Sequence, residues 1–179
     1  MSQSAGSAMQ LSDLMPICKR LPSASVDQLI GATKILSRAG GRTSLRALAR
    51  ALGYDAEHVA GLVEFLSSLR LVEVRDRDIA LTAAGKRIAS AGIASRRRLF
   101  AELIIHLPIV REIVDRLAEQ PDRSLPRGQL LDDLGAQACS ADAESIFHHV
   151  ANWGRYAELF TYDPSSGRVS LTDTAVSNF

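Results

Sequence analysis

Gly85-Lys86 is the one place where this chain sets a lysine after a glycine, the pair that closes a phosphate-binding loop. Such a loop also needs an upstream glycine, so that backbone donors can cradle the phosphates, and a Ser or Thr after the lysine. Here Arg87 follows and the upstream glycine is absent, so no triphosphate site is expected. Gly40-Gly41-Arg42-Thr43 reads instead as a helix stop followed by a cap. No Gly-x-Ser-x-Gly, His-Glu-x-x-His or Cys-x-x-Cys occurs, and nothing matches the nucleophile or metal geometries that hydrolases need. His148-His149 are helix neighbours pointing about 100° apart and do not close on one ion from one face. Asp132-Asp133 fail as an acid–base pair for the same reason. His106, just before Leu107-Pro108, stands at a helix end, where an imidazole can meet the last carbonyls. The sequence predicts no catalytic residue, no metal site and no cofactor. What remains is the chemistry of surfaces.

Those surfaces belong to an ordinary globular chain. Its 179 residues are 46% hydrophobic and 23% charged, enough for one domain or two small ones sharing a core. A net charge of +1 gives no overall field to draw the molecule to nucleic acid or anionic lipid. Cys18 and Cys139 lie in unrelated contexts, so a reducing cytoplasm is the expected location. Residues 1–10 lack a basic n-region, and Ser12, Asp13 and Pro16 break the apolar stretch behind them, so no signal peptide is expected. Nothing approaches the roughly 18 continuous apolar residues of a spanning helix, and no membrane insertion is expected.

Hydrophobic periodicity supplies the elements. Val26, Leu29, Ile30, Thr33 and Leu36 recur at helical spacing up to Gly40-Gly41. Thr43 is a good cap for a second short helix with Leu45, Leu48, Ala49 and Leu52 inward, closed by Gly53. A third runs from about Asp55 to Leu69, with Val59, Leu62, Val63, Leu66 and Leu69 on one face. The period then becomes two: Leu71–Val74 and Ile79–Leu81 flank Arg75-Asp76-Arg77-Asp78 as a hairpin, after which Thr82 caps another helix. Three helices and a hairpin are the order of a winged helix.

The order then returns. Pro108 starts a helix with Val110, Ile113, Val114 and Leu117 inward, and Pro126 the next, with Leu130, Leu131 and Leu134 inward and Gly135 closing it. A third begins at Asp142-Ala143-Glu144, with Ile146, Val150, Trp153 and Ala157 on one stripe, and a second hairpin turns through Asp163–Gly167. Short identities accompany the pattern: Asp55-Ala56-Glu57 with Asp142-Ala143-Glu144, and Ala80-Leu81-Thr82 with Ser170-Leu171-Thr172. The expected fold is mostly α with small β hairpins, an α+β arrangement of two fused winged-helix units. Residues 1–22 form a tail, 23–94 the first unit, 95–107 a linker helix packed on both units, and 108–179 the second unit.

A winged helix invites DNA, and the residues argue against it. Affinity for duplex DNA comes from Lys and Arg displacing counterions, and specificity from Arg, Asn or Gln at base edges. The outward face of the first unit's third helix carries Glu57, His58, Ala60, Gly61, Glu64, Ser67 and Ser68. Its counterpart carries Glu144, Ser145, His148 and Asn152, with Arg155 at the end. The wings offer Arg75 and Arg77 alternating with Asp76 and Asp78, and Arg168 alone. Arg42, Arg46 and Arg50 are expected on the second helix, and Arg96, Arg97 and Arg98 form a candidate basic patch. None of these makes a reading head.

Residues 152–163 are the densest signal: the only tryptophan, Trp153, with Tyr156, Phe160 and Tyr162. Trp153 and Phe160 are expected in the core, because they lie on the inward stripe and the following strand. Arg155, Tyr156 and Tyr162, with Arg168 on the wing, form the candidate interaction surface.

Asn152-Trp153-Gly154-Arg155-Tyr156-Ala157-Glu158-Leu159-Phe160 with Tyr162-Asp163 resembles the C-terminal AAA-associated domain that follows the ATPase module of nitrate/sulfonate/bicarbonate-type ABC transporters. Ser25-Val26, Leu29-Ile30-Gly31 and Gly40-Gly41 resemble its opening, and Leu81-Thr82 with Gly85 its middle. Leu99-Phe100 leading to His106-Leu107-Pro108 is similar to its linker helix, and Gln120-Pro121-Asp122 with Pro126-Arg127 to its second entry. The resemblance runs from about Leu21 to Leu171 and implies a non-catalytic accessory or regulatory role, with an ABC-transporter ATPase subunit as partner. It transfers no catalytic residue, and with no nucleotide motif present the chain is expected to be a free-standing member or a fragment. The alternative is a DNA-binding transcription regulator resembling the PadR-like winged-helix repressors. The long C-terminal helix that those use to dimerise has no counterpart in Asp173–Phe179.

Overall fold

A computed structural model of the chain describes residues 24–76, 78–137 and 143–176. The tail at 1–22, Cys18, Arg77, Cys139, Asp142 and the last three residues lie outside these. Helix α1 (Val26–Arg38) opens on a capping box: Ser25 Oγ accepts the Gln28 N–H, and the Gln28 side chain accepts the Ser25 N–H. It buries Val26, Leu29, Ile30, Ala32, Thr33 and Leu36. Thr33 is fully buried and tolerates this because its hydroxyl donates to the Ile30 carbonyl at 2.9 Å. Gly40 and Gly41, with φ of 80° and 85°, turn the chain out of the helix in the left-handed region that favours glycine.

The next residues differ from expectation. Arg42–Ser44 form a strand, β1, and the N-cap of α2 (Leu45–Leu52) is Ser44, not Thr43. Thr43 pairs with Ile79 in the sheet, which leaves Ser44 Oγ to accept the Ala47 N–H. Three residues are too short for a period to register in sequence. Gly53, with φ of 74°, closes α2. Asp55 then caps α3 (Ala56–Ser68), its Oδ1 accepting the His58 N–H at 2.8 Å. Strands β2 (Val72–Arg75) and β3 (Asp78–Leu81) form the hairpin, and β1 joins it in the order β1-β3-β2, all antiparallel. Thr82 caps α4 (Ala83–Ser90) through the Gly85 N–H.

Helix α5 (Ile93–Ile104) leads to the second set: α6 (Pro108–Ala118), β4 (Ser124–Pro126), α7 (Arg127–Gln137), α8 (Ala143–Tyr156), β5 (Phe160–Asp163), β6 (Arg168–Leu171) and α9 (Asp173–Val176). Pro126 belongs to β4, where the sequence placed a helix start, and α7 runs past Gly135 to Gln137. The second sheet has the order β4-β6-β5. The chain is thus mostly helical, with two small antiparallel sheets: an α+β fold.

The hydrogen bonds repeat with the elements. Leu71 N–H returns to the Leu66 carbonyl at 2.8 Å, and Leu159 N–H to Gly154 at 2.9 Å, each 88 residues later. Arg70 and Glu158, the residues before, both take positive φ, of 55° and 57°. Leu81 N–H donates to Gly41 O, and Leu171 N–H to Arg123 O. Thr82 Oγ1 donates to the carbonyls of Arg70 and Leu71, and Thr172 Oγ1 to those of Glu158 and Leu159. Carried back along α3 and α8, the 88-residue offset sets Asp55 opposite Ala143. The shared Asp-Ala-Glu letters at 55 and 142 are therefore one residue out of register.

That offset also pairs Phe65 with Trp153, and these two counterparts stack on each other, with ring centroids 4.7 Å apart and planes 20° apart. Trp153 is fully buried and its Nε1–H donates to the Ala24 carbonyl at 3.0 Å, just ahead of α1. Phe65 is 2% exposed. This pair joins α3 to α8, and α5 packs on α8 beside it. Phe100 meets the Tyr156 ring edge-on at 5.5 Å, and Arg97 pairs with Glu158 at 2.7 Å.

Candidate interaction surface

On α3, burial alternates as an amphipathic helix requires: Val59, Leu62, Val63, Phe65 and Leu66 are buried. Glu57, His58, Ala60, Glu64, Ser67 and Ser68 are exposed, and Gly61 is half-buried. Ala60, Glu64, Ser67 and Ser68 of this face help to line a broad open groove of about 1410 Å³. Leu45, Arg46 and Ala49 of α2 line it, with Ala56, Ala60 and Val63 of α3, Val74 and Ile79 of the hairpin, and His106–Pro108 at the start of α6. Phe65 reaches it too, so the groove abuts the joint between the units. Val74 is 54% exposed, the β2 side chain that the sheet turns outward toward this space. Glu64 and Asp76 are among the lining residues, and Arg46 is the one Lys or Arg among the described lining residues.

The residues singled out in the sequence fall in several places. Arg155 is exposed at the end of α8 and donates to Asn152 Oδ1 at 3.3 Å. Tyr156 is half-buried against Phe100, and Tyr162 half-buried edge-on to Phe147 at 5.5 Å. Arg168 is half-buried and forks: Nε donates to Ser124 Oγ, and a terminal nitrogen donates to Asp122 and to the Ser124 carbonyl. It ties β6 to β4 and holds the turn before it. Replacing Arg168 by alanine is expected to cost roughly 1–2 kcal/mol, since it releases buried Ser124 groups from a charged donor. Urea unfolding would measure this, and a loss below about 0.3 kcal/mol would mean that water replaces the fork without penalty.

Arg96, Arg97 and Arg98 are likewise divided. Arg96 donates to the carbonyls of Ile88 and Ala91, closing the end of α4. Arg97 is held by Glu158 and lies over the Tyr156 ring at 5.8 Å. Arg98 is exposed. Elsewhere Arg42 pairs with Asp78 and Arg75 with Glu73. His106 is exposed beside the groove, and the rings of His148 and His149 lie at 77° with centroids 5.7 Å apart. Among the described residues no group of three or more His, Cys, Asp or Glu is arranged to hold a metal, and no helix is long and apolar enough to cross a membrane.

Two exposed carboxylates are held below the usual carboxylate range. The His58 N–H does this to Asp55, and the Ser166 hydroxyl, aided by the Ser165 N–H, to Asp163. A depressed folded-state pKa gives stability that is present above the unfolded pKa and lost as pH falls through the folded one. Wild type and Asp55→Asn are therefore expected to differ in thermal midpoint at neutral pH and to converge in acid below about pH 3.9. A difference that persists unchanged to the lowest pH would exclude the cap as its source.

Sequence reasoning missed the groove because its walls come from four separated segments, and because Phe65 was left out of the inward face of α3. No curated protein and no solved structure matches the chain. A family model does, that of the C-terminal AAA-associated domain, over residues 46–163. The match begins in α2 and ends with β5, and so takes in α3 and most of the groove, α5, and the aromatic helix α8 with the strand that follows it. The chain belongs to the family of C-terminal AAA-associated domains.

Proposed function

We propose that this chain is a non-catalytic, regulatory winged-helix protein that docks in the cytoplasm on the ATPase subunit of a nitrate/sulfonate-type ABC transporter. Membership of an ATPase-associated family supports the partner. The observation that carries the mode of action is the face that a winged helix would turn to DNA. On α3 and the first hairpin it is a groove whose described lining is largely apolar, with Glu64, Asp76 and Arg46. Such a face repels phosphate and favours apolar protein surface. The test is calorimetry between the full chain and the ATPase encoded beside its gene, with and without ATP. Saturable binding is expected, and no detectable heat at high micromolar concentrations of both would sink the reading.

The helix–strand–helix–helix–hairpin order supports a second reading, a PadR-like DNA-binding regulator, with Arg155 on the exposed end of α8 as its base-contacting candidate. Fluorescence anisotropy against the gene's own upstream region and a scrambled duplex separates the two. No sequence preference is expected at physiological salt. Specific binding of about 10⁻⁸ M or tighter, lost on Arg155→Ala, would reverse the order.

A further inference from the structure

Charge is shared unevenly among the helices. Lys34 and Arg38 stand on α1, Lys86 and Arg87 on α4, and Arg96, Arg97 and Arg98 on α5, against Asp27 and Glu102. These helices lie together, since α1 packs on α4 and α4 on α5. Lys86 lies by the turn that ends α1, its Cε 3.7 Å from where a Cβ on Gly41 would stand. Arg96 is taken up by backbone carbonyls and Arg97 by Glu158, whereas Lys34, Arg38, Lys86, Arg87 and Arg98 are exposed. Outside the described residues the chain has Asp13 and Asp142 as acids, with Lys19, Arg20 and Arg77 as cations. Those acids are too few to cancel the excess. Beside this face stands an apolar tip. Ala91 and Gly92 take extended backbone between α4 and α5, and Arg96 fixes the corner through the carbonyls of Ile88 and Ala91. Residues 92–95 are all exposed, and Ile93, at 68%, is the most exposed of the described large hydrophobic side chains.

We propose that this basic face rests on an anionic lipid surface, with Ile93 entering the headgroup boundary and the five exposed cations held among the lipid headgroups. One protruding apolar side chain set among cations fits a partner that is acidic at its surface and apolar just beneath it. A bilayer interface has that layering. Duplex DNA offers the phosphates but no apolar layer beneath them for Ile93. The contact lies on the membrane rather than across it, in keeping with the absence of a spanning helix among the described residues. It stands independently of the ATPase reading. Attachment of this kind is weak alone and gains from a second contact on the same membrane.

The probes are vesicles of phosphatidylcholine alone and of phosphatidylcholine with phosphatidylglycerol, mixed with the full chain and separated by flotation. Binding is expected to the anionic vesicles only, and to weaken as salt rises. Arg87→Ala combined with Arg98→Ala should weaken it by about tenfold or more, at about fivefold for each cation near the surface. Arg111→Ala, on exposed α6, lowers the net charge elsewhere and should change binding by less than about twofold. Ile93→Ser should weaken binding by about fivefold or more. Ile93→Trp should retain it, and its emission should shift blue on anionic vesicles. Wild-type emission, from fully buried Trp153, should stay where it is. Circular dichroism should show every variant folded. Equal binding to both vesicles, binding to neither, or no blue shift at position 93 overturns the proposal. So does a loss on Arg111→Ala as large as that of the double variant. Tighter binding to duplex DNA that the same double variant weakens also overturns it, and would assign the face to nucleic acid.

Discussion

Trp153→Ala is expected to lose about 3–5 kcal/mol of stability, the range for removing a large aromatic from a core. Three effects combine. The ring is fully buried, it stacks on Phe65 across the joint, and its N–H satisfies the Ala24 carbonyl at the entry to α1. Truncation leaves a cavity between α3 and α8, so neither helix can collapse into it without moving the other. Trp153→Phe keeps an aromatic face for Phe65 and loses the hydrogen bond and part of the volume, and should cost about 1–2 kcal/mol. Trp153 is the only tryptophan, so the wild-type fluorescence change reports this joint, and the variants are compared by far-ultraviolet dichroism in urea. A Trp153→Ala loss below about 1 kcal/mol would show that the joint repacks.

Gly154→Ala should be nearly as damaging, although it adds a single carbon. A Cβ there would overlap the ring of Phe160, which is 1% exposed and has no room to retreat. Overpacking of this kind costs about 1–3 kcal/mol. The first unit shows why the space is used this way. Its counterparts are Leu66 and Val72, both buried, with bulk on the helix and a smaller side chain on the strand. The second unit exchanges the two, with glycine on the helix and phenylalanine on the strand. Gly154→Leu with Phe160→Val is therefore expected to be more stable than Gly154→Leu alone, a coupling that a double-mutant cycle measures directly. If the second change worsens the first, the two sites are not packed in the same volume.

Much of this fold is legible in the chain. Helical spacing set the inward residues of α1 and α3, and positive-φ glycines end α1 and α2 where the sequence places stops. Thr82, Pro108 and the two hairpins are where their chemistry puts them. The short strands β1 and β4 were not legible. Three residues carry no period, and each becomes a strand only because β3 or β6 arrives beside it. Thr43 consequently pairs in a sheet while Ser44 takes the cap. Phe65 escaped for a related reason: it sits beside the inward stripe of α3 and is buried by Trp153 from the other unit.

By itself, then, the sequence determined what depends on neighbours within about four residues: helix faces, caps, turns, and the absence of a loop able to hold phosphate. It also carried the repeated order of helices and hairpins, which is visible without coordinates. The tertiary structure decided what depends on residues brought from far away. Arg96, Arg97 and Arg98, adjacent in the chain, are separated by their partners into a backbone clasp, an ion pair and an exposed cation. Leu45, Ala60, Val74 and Leu107, dispersed in the chain, become one groove. Side-chain type limits what a residue can bind, but burial and approach are properties of the whole fold, and those selected the open face.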